Sequence, residues 1–291
     1  MANELKGRTA VVTGASRGIG VHIAGELAKH GVRLALVARS GAELRSLAEQ
    51  INRTHATNVV VLQADLAQLT HLGTVVERAL AELGAIDILV NNAGIDGIRV
   101  YAEESPDQTE AMIRTNLLSP MLLTRACLPH MLARGRGHIV NVASLAGKSA
   151  APYCVSYGAA KAGLAAFTHA LRTELSGTGV SASVVCPGFV RDVGMFANVA
   201  VKHDARVSPL LGTATPEQVA RAVVDALRDD VVEITVNPGP IRLMAALNQL
   251  APSMVSWVQR RVLGVDDMLR GIALAERNQS PADTSTTRKA G

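Results

Sequence analysis

Aromatic side chains are nearly missing from this chain: one Trp, three Tyr and three Phe make up 2% of its 291 residues. Single-stranded nucleic acid is usually held on aromatic stacking platforms. The formal net charge of +4 is not gathered into any run of Lys or Arg, so no nucleic-acid partner is expected. Cysteine is just as scarce. Cys127, Cys154 and Cys186 are odd in number, far apart and set in apolar segments, which argues against a disulfide framework and reads as three buried thiols in a reducing compartment. No stretch approaches the roughly 18 uninterrupted apolar residues of a membrane span, and residues 1–7 have no apolar signal-peptide core. A cytoplasmic protein is expected. The eight histidines are dispersed, without Cys or acidic partners at ligand spacing, so no metal is expected.

What the chain does have is hydrophobic material, 48% of residues against 19% charged, enough for one substantial core. Short apolar runs alternate with helical patterns. Strands are expected at 9–13, 33–38, 58–63, 87–91, 137–142, 181–186 and 232–236, with helices at 18–30, 42–54, 69–83, 157–175 and 215–227. A single long helix is expected over 106–133. Near-continuous apolar strands suit a parallel sheet covered on both faces. Repeated βα units with short turns give an α/β, Rossmann-like doubly wound parallel sheet flanked by helices, with ligands at the carboxyl ends of its strands. Residues 1–240 would form this dinucleotide-binding and catalytic domain. Residues 241–277 read as a C-terminal helical extension, either a cap packed on the domain, a subunit contact, or a helix lying on a membrane surface, since Arg260, Arg261 and Arg270 sit among apolar residues. Residues 278–291 are polar and aperiodic, and a disordered tail is expected there.

The most informative segment is Thr13-Gly14-Ala15-Ser16-Arg17-Gly18-Ile19-Gly20, placed between the first strand and the first helix. Glycines let backbone approach a pyrophosphate closely, and a helix N-terminus offers free N–H groups and a positive dipole end. Gly14, Ser16, Arg17, Gly18, Ile19 and Gly20 are therefore candidate cofactor contacts. Tyr157 and Lys161 lie one helical turn apart on one face. A phenol titrates near 10, and a neighbouring ammonium is expected to lower that value by about 1–3 units, making Tyr157 a usable acid or base. Ser144 follows the fifth strand at the sheet's carboxyl edge, where its hydroxyl could hold a substrate oxygen. Asn116 interrupts a helical pattern, where asparagine is a poor former.

The ordered set Thr13–Gly20, Asp65, Asn91-Asn92-Ala93-Gly94, Asn116, Ser144, Tyr157-Gly-Ala-Ala-Lys161 and Pro187-Gly188 resembles the short-chain dehydrogenase/reductase family over residues 5–240. The resemblance implies hydride transfer between a nicotinamide cofactor and a carbonyl/hydroxyl pair. It implies that Ser144 orients the carbonyl and Tyr157 handles the proton. Lys161 would also hold the nicotinamide ribose, and Asn116 would support a proton-relay water. It places Asn92, Ala93 and Gly94 along the adenine ribose, and Asp65 with Leu66 at the adenine, although Asp65 reads equally as a helix N-cap. Pro187, Gly188 and Val190 would line the nicotinamide end. Asp192 stands where relatives commonly carry a threonine that bonds the carboxamide, so its contact stays open.

Sites for the non-phosphorylated cofactor carry an acid at the end of the second strand. Here Ala38 occupies that place, followed by Arg39 and Ser40. With Arg17 in the loop, Arg39 favours a 2′-phosphate, so NADP(H) is expected over NAD(H). Met195, Phe196, Val199 and Val201, with Tyr153 and Val155, are expected to line an apolar pocket for a small carbonyl or alcohol substrate. The resemblance implies a homodimer or homotetramer assembled through the helices at 106–133 and 157–175. Two rival readings are a cofactor-binding sensor or scaffold without turnover and a nucleotide-sugar epimerase or dehydratase. The four reactive residues speak against the first. The glycine spacing and the short C-terminal region speak against the second.

Overall fold

A computed structural model describes residues 4–55, 57–149, 151–203, 207, 212–237, 247–248, 250–261 and 263–279. The tail beyond residue 279 lies outside the described residues. Seven parallel strands form one sheet in the order β3-β2-β1-β4-β5-β6-β7. They are β1 (Thr9–Thr13), β2 (Arg33–Ala38), β3 (Val59–Gln63), β4 (Ile88–Asn91), β5 (Gly137–Val142), β6 (Val180–Pro187) and β7 (Glu233–Val236). The register runs Val11↔Ala35 and Val11↔Leu89 across the centre. The chain leaves β3 at one edge and returns on the other side of β1, so the strand order reverses between β1 and β4. Loops at such a switch point diverge and leave a crevice.

Helices α1 (Ile19–Lys29), α2 (Gly41–His55), α3 (Leu72–Leu83), α4 (Pro106–Ile113), α5 (Ser119–Ala133), α6 (Val155–Glu174), α7 (Met195–His203) and α8 (Pro216–Asp229) cover the sheet. One core joins α1, α2 and α8 to one face, around Ile23, Leu27, Leu36, Leu44 and Val223. The other joins α3, α5 and α6 to the opposite face, around Val76, Leu89, Leu123, Met131 and Leu171. Strands apolar on both faces follow from this double covering. The long helix expected at 106–133 is corrected in one respect: a π-helical turn at Arg114–Leu118 separates α4 from α5. Its extra residue per turn swings buried Asn116 off the regular helical face.

Further along the described residues are the helices α9 (Pro252–Arg261) and α10 (Val265–Gln279). Leu263, Val265, Leu269 and Ile272 pack against Ile98, Tyr153, Phe189 and Val199, while Met254 and Trp257 stay exposed on the outer side of α9. Asn278 and Gln279, expected in the tail, belong to α10. No helix among the described residues is long and apolar enough to cross a membrane.

One ion cluster locks the amino-terminal end of the sheet. The buried Asp87 carboxylate accepts from Thr9 N at 3.1 Å, Arg134 Nη2 at 2.5 Å and Arg136 Nη2 at 3.0 Å. Burial alone would raise its pKa, but the Arg134, Thr9 and Arg136 hydrogen bonds outweigh it and hold the carboxyl below its ordinary value. A depressed folded pKa contributes stability that is present above the unfolded value, near 4, and is lost as pH falls through the folded one. Asp87→Asn is expected to cost about 2 kcal/mol at neutral pH and to blunt the loss of stability below pH about 4; chemical denaturation across pH checks both.

Candidate active site

Three strand ends meet at the crevice, and a single hydroxyl joins two of them. Thr13 Oγ1 donates to Val90 O at 3.2 Å and accepts from Asn92 N at 3.0 Å and Ala93 N at 3.1 Å. Asn92 Nδ2 returns a hydrogen bond to Thr13 O at 3.0 Å. The glycine loop is thereby tied to the turn after β4. At Gly20 a Cβ would lie 2.1 Å from Gly14 O, so only glycine lets α1 begin this close to β1. Gly18 caps α1 without a side-chain hydrogen bond, and no acidic residue stands in the helix's first turn. Those free N–H groups and the bare loop backbone fit a cofactor diphosphate. Ser16 and Arg17 sit at the loop tip, Arg17 exposed.

The second cradle lies at the end of β2. Arg39 and Ser40 are exposed, and Gln63 Nε2 donates to Arg39 O at 2.9 Å. A Cβ on Gly41 would stand 3.2 Å from Arg45 Nη1, so Arg45 folds back over the N-terminus of α2. Sequence reading missed Arg45, which looks like an ordinary polar-face residue of an amphipathic helix.

The reactive side chains come from β5 and α6. Beyond Val142 the chain turns through residues 145–147, where a Cβ on Gly147 would meet Ala162 N at 2.5 Å. The turn thus lies directly on α6 and brings Ser144 to the helix face that carries Tyr157 and Lys161. Ser144 Oγ accepts from Ala146 N at 3.1 Å, and Ser144, Tyr157 and Lys161 line the same cavity. Lys161 is buried. Its Nζ donates to Val142 O at 2.9 Å and stands 5.9 Å from the Tyr157 ring centroid. Asn116 grips the backbone of Ile95 from both sides, accepting its N–H at 3.2 Å and donating to its carbonyl at 2.8 Å. A Cβ on Gly94 would lie 2.6 Å from Asn116 Oδ1 and 3.6 Å from Lys161 Nζ. Gly94 is where these two polar groups come together.

The electrostatics correct the expectation of an acidified phenol. Burial pushes Tyr157 up to about 12 and Lys161 down to about 8. The Ser144 hydroxyl favours the phenolate, but burial outweighs it and the charge of Asp96 adds to the rise. Desolvation dominates at both groups, leaving a firmly protonated phenol beside an amine that titrates at about 8.

Around Ser144 and Tyr157 lies a cavity of about 220 Å³, lined by Ile19, Asn92, Asp96, Ile98, Leu145, Cys154, Pro187, Gly188, Phe189, Val190, Phe196, Gln259, Val265 and Leu269 among others. Phe189 and Phe196 pack with ring centroids 4.7 Å apart. Phe196 therefore lines the pocket as expected, and Val199 and Tyr153 join the apolar cluster behind it. Val201 is corrected, at 87% exposed, as is Val155, at 46%, which projects from the start of α6 into solvent. The Met195 side chain lies outside the described residues. Cys154 is corrected from a core thiol to a pocket-wall residue, its pKa raised by burial to about 12.

Asp65, Leu66 and Asp192 are among the expected cofactor residues that do not line this cavity. Asp65 is no helix N-cap: its Oδ1 accepts from Ala67 N at 3.1 Å in a turn, and the short helix beyond it starts only at Leu69. Leu66 buries its side chain in the core. Asp192 has a left-handed backbone, φ 71°, and its carboxylate pairs with Arg191 Nε at 3.4 Å on the surface. Asp96, Cys154 and Gln259 were missed because each lies outside a motif. Val265 and Leu269 of α10 read only as an amphipathic stripe.

Comparison with known proteins adds independent findings. Residues 8–204 match the family described as short chain dehydrogenase. The ketoacyl reductase HetN of Nostoc sp. is 42% identical over 265 residues, covering 88% of this chain and 89% of its own length. The human dehydrogenase/reductase SDR family member 7 is 32% identical over 89% of this chain and 78% of its own length. Among solved structures, a variant actinorhodin polyketide ketoreductase with NADPH superposes with a TM-score of 0.75 at 30% identity, covering 83% of this chain and 99% of that one. A metagenomic short-chain oxidoreductase in complex with NADP gives 0.69 at 33% identity, over 80% and 98%.

Proposed function

Because the chain belongs to the short chain dehydrogenase family, we propose that it reduces a ketone on an apolar small molecule, a ketoacyl-type chain, with NADP(H) preferred over NAD(H) and Tyr157 as the proton donor. The single observation that carries this reading is that Ser144, Tyr157 and Lys161 together line one largely apolar cavity. Names of relatives support the substrate class: a ketoacyl reductase and a polyketide ketoreductase. When bound, the nicotinamide supplies the hydride.

The chain's own residues do the rest. Gly14, Gly18, Ile19 and Gly20 bind the diphosphate with backbone N–H groups, and Arg17 and Arg39, with Arg45, hold the 2′-phosphate. Ser144 donates to the carbonyl oxygen and fixes it against Tyr157. The phenol gives its proton to that oxygen as the alkoxide develops. Lys161 places positive charge next to Tyr157 and holds the nicotinamide ribose, as the family resemblance implies. Asn116 positions Ile95 and with it the loop that lines the pocket. In solution the protein works in the cytoplasm as a homodimer or homotetramer, with Leu118 and Leu132, exposed on the 106–133 segment, turned toward a second copy.

The test is NADPH oxidation followed by absorbance with a panel of hydrophobic ketones. Tight NADPH binding without turnover of any of them would instead favour a sensor or scaffold. Charge on Lys161 also sets a pH limit. A lysine titrating at about 8 is protonated below that pH and neutral above it, so reduction is expected to hold steady at lower pH and fall as pH rises past about 8. A profile still level at pH about 9.5 would remove the ammonium from the chemical step.

A further inference from the structure

The cavity holds one feature that the proposed reaction does not use. Among its lining residues Asp96 is the sole carboxylate, and the walls near it are Ile98, Cys154, Val265 and Leu269. Its position is fixed from both ends. Asn116 clamps Ile95 on one side, and on the other Arg99 N donates to Tyr153 O at 2.8 Å. The loop 95–99 is therefore held on both the Asn116 helix and the segment leading into α6. It delivers a half-buried acid to the same space as Tyr157.

A carboxylate offers about four acceptor positions. The Asp96 carboxylate makes no hydrogen bond or ion pair to another described residue. Arg17 and Arg99 lie close enough to favour its charged form and Glu276 opposes them, while burial pushes its pKa upward. An acceptor withdrawn from water and left without a donor costs free energy that a ligand can relieve.

Resting on the reading of this cavity as the substrate pocket, we propose that Asp96 forms a second polar subsite, which accepts a hydrogen bond from an O–H or N–H group carried on the substrate away from its reacting carbonyl. The preferred substrate is then an apolar ketone with a hydrogen-bond donor elsewhere on its chain. Tyr157 and Ser144 handle one end and Asp96 reads the other. Rejection works by the same contact: a substrate with a methyl group at that place covers the half-buried carboxylate without pairing it, and sites built to pair a donor discriminate strongly against analogues that lack one.

The experiment compares methyl ketones of graded chain length in three forms: ω-hydroxy, ω-amino and methyl-terminated. With the parent protein and NADPH, one chain length should show kcat/KM for a donor-bearing ketone about ten- to a hundredfold above its methyl-terminated isostere, chiefly through KM. Asp96→Leu should abolish or invert that ratio. Asp96→Asn, which keeps shape and an acceptor, should lose the amino preference while retaining part of the hydroxy preference; loss of both together would show that either donor needs the charge of the carboxylate. Calorimetric binding of diols against matched mono-alcohols to the NADPH complex reads the same subsite without turnover. A parent ratio near one at every length, or a ratio that survives Asp96→Leu, overturns the subsite while leaving ketone reduction intact. Absence of any reduction by the parent removes the reductase reading, and diol binding then decides the subsite by itself.

Discussion

Tyr157→Phe is expected to lower kcat for ketone reduction about a thousandfold, with NADPH binding reduced far less. A positioned general acid contributes on the order of a hundred to ten thousand, and here the replacement has no ready substitute. The half-buried phenol is kept protonated, its pKa about 12, so at neutral pH the donor is fully loaded. The Ser144 hydroxyl can hold the carbonyl oxygen, but its own proton has no described base behind it, and the Lys161 amine already donates to Val142 O. Asp96 is the other acid on the cavity wall, and it lies on the loop after β4, not beside Ser144. Single-turnover rates with saturating NADPH separate chemistry from binding. A phenylalanine variant within about tenfold of the parent would show that another group donates the proton.

The second large effect concerns the choice of nicotinamide. Arg39→Asp is expected to weaken NADPH use about a hundredfold relative to NADH. Two charges about 4 Å apart interact by about 4 kcal/mol at an effective dielectric of 20 and by about 1 kcal/mol in water. Arg39 is exposed, so screening places the effect between those limits. The substitution removes an attraction and adds a repulsion, and both act on the 2′-phosphate alone. The NADH site should gain instead, since an acid at the end of β2 suits a free 2′-hydroxyl. The ratio of kcat/KM for the two cofactors measures this directly. Equal losses with both would place Arg39 outside the phosphate site, leaving Arg17 and Arg45 to explain any preference.

Much of this architecture is legible in the residues before any coordinates. All seven strands are apolar runs because both faces of the sheet are covered, and the motif order alone places Ser144, Tyr157 and Lys161 at one edge. What escapes is whatever depends on tertiary closeness. A π turn has the same composition as an α turn, so the swing of Asn116 has no signature. Charge pairing between Tyr157 and Lys161 is suggested by their spacing, yet desolvation, which depends on every neighbour, pushes both toward neutrality. Helical spacing cannot tell which end of a segment enters solvent, which is why Val155 and Val201 point outward while Phe196 lines the pocket. Asp96 and Arg45 look like ordinary polar residues until the loop at 95–99 and the start of α2 are folded.

The far wall of the cavity is contributed by Gln259, Val265 and Leu269, downstream of residues 8–204 that the family shares. On the proposed reading, cofactor grip and proton delivery are encoded in one stretch of chain, and the ceiling over the guest molecule in another. Exchange of the last two helices for a different pair can change which guests fit while the reductive apparatus stays as it was.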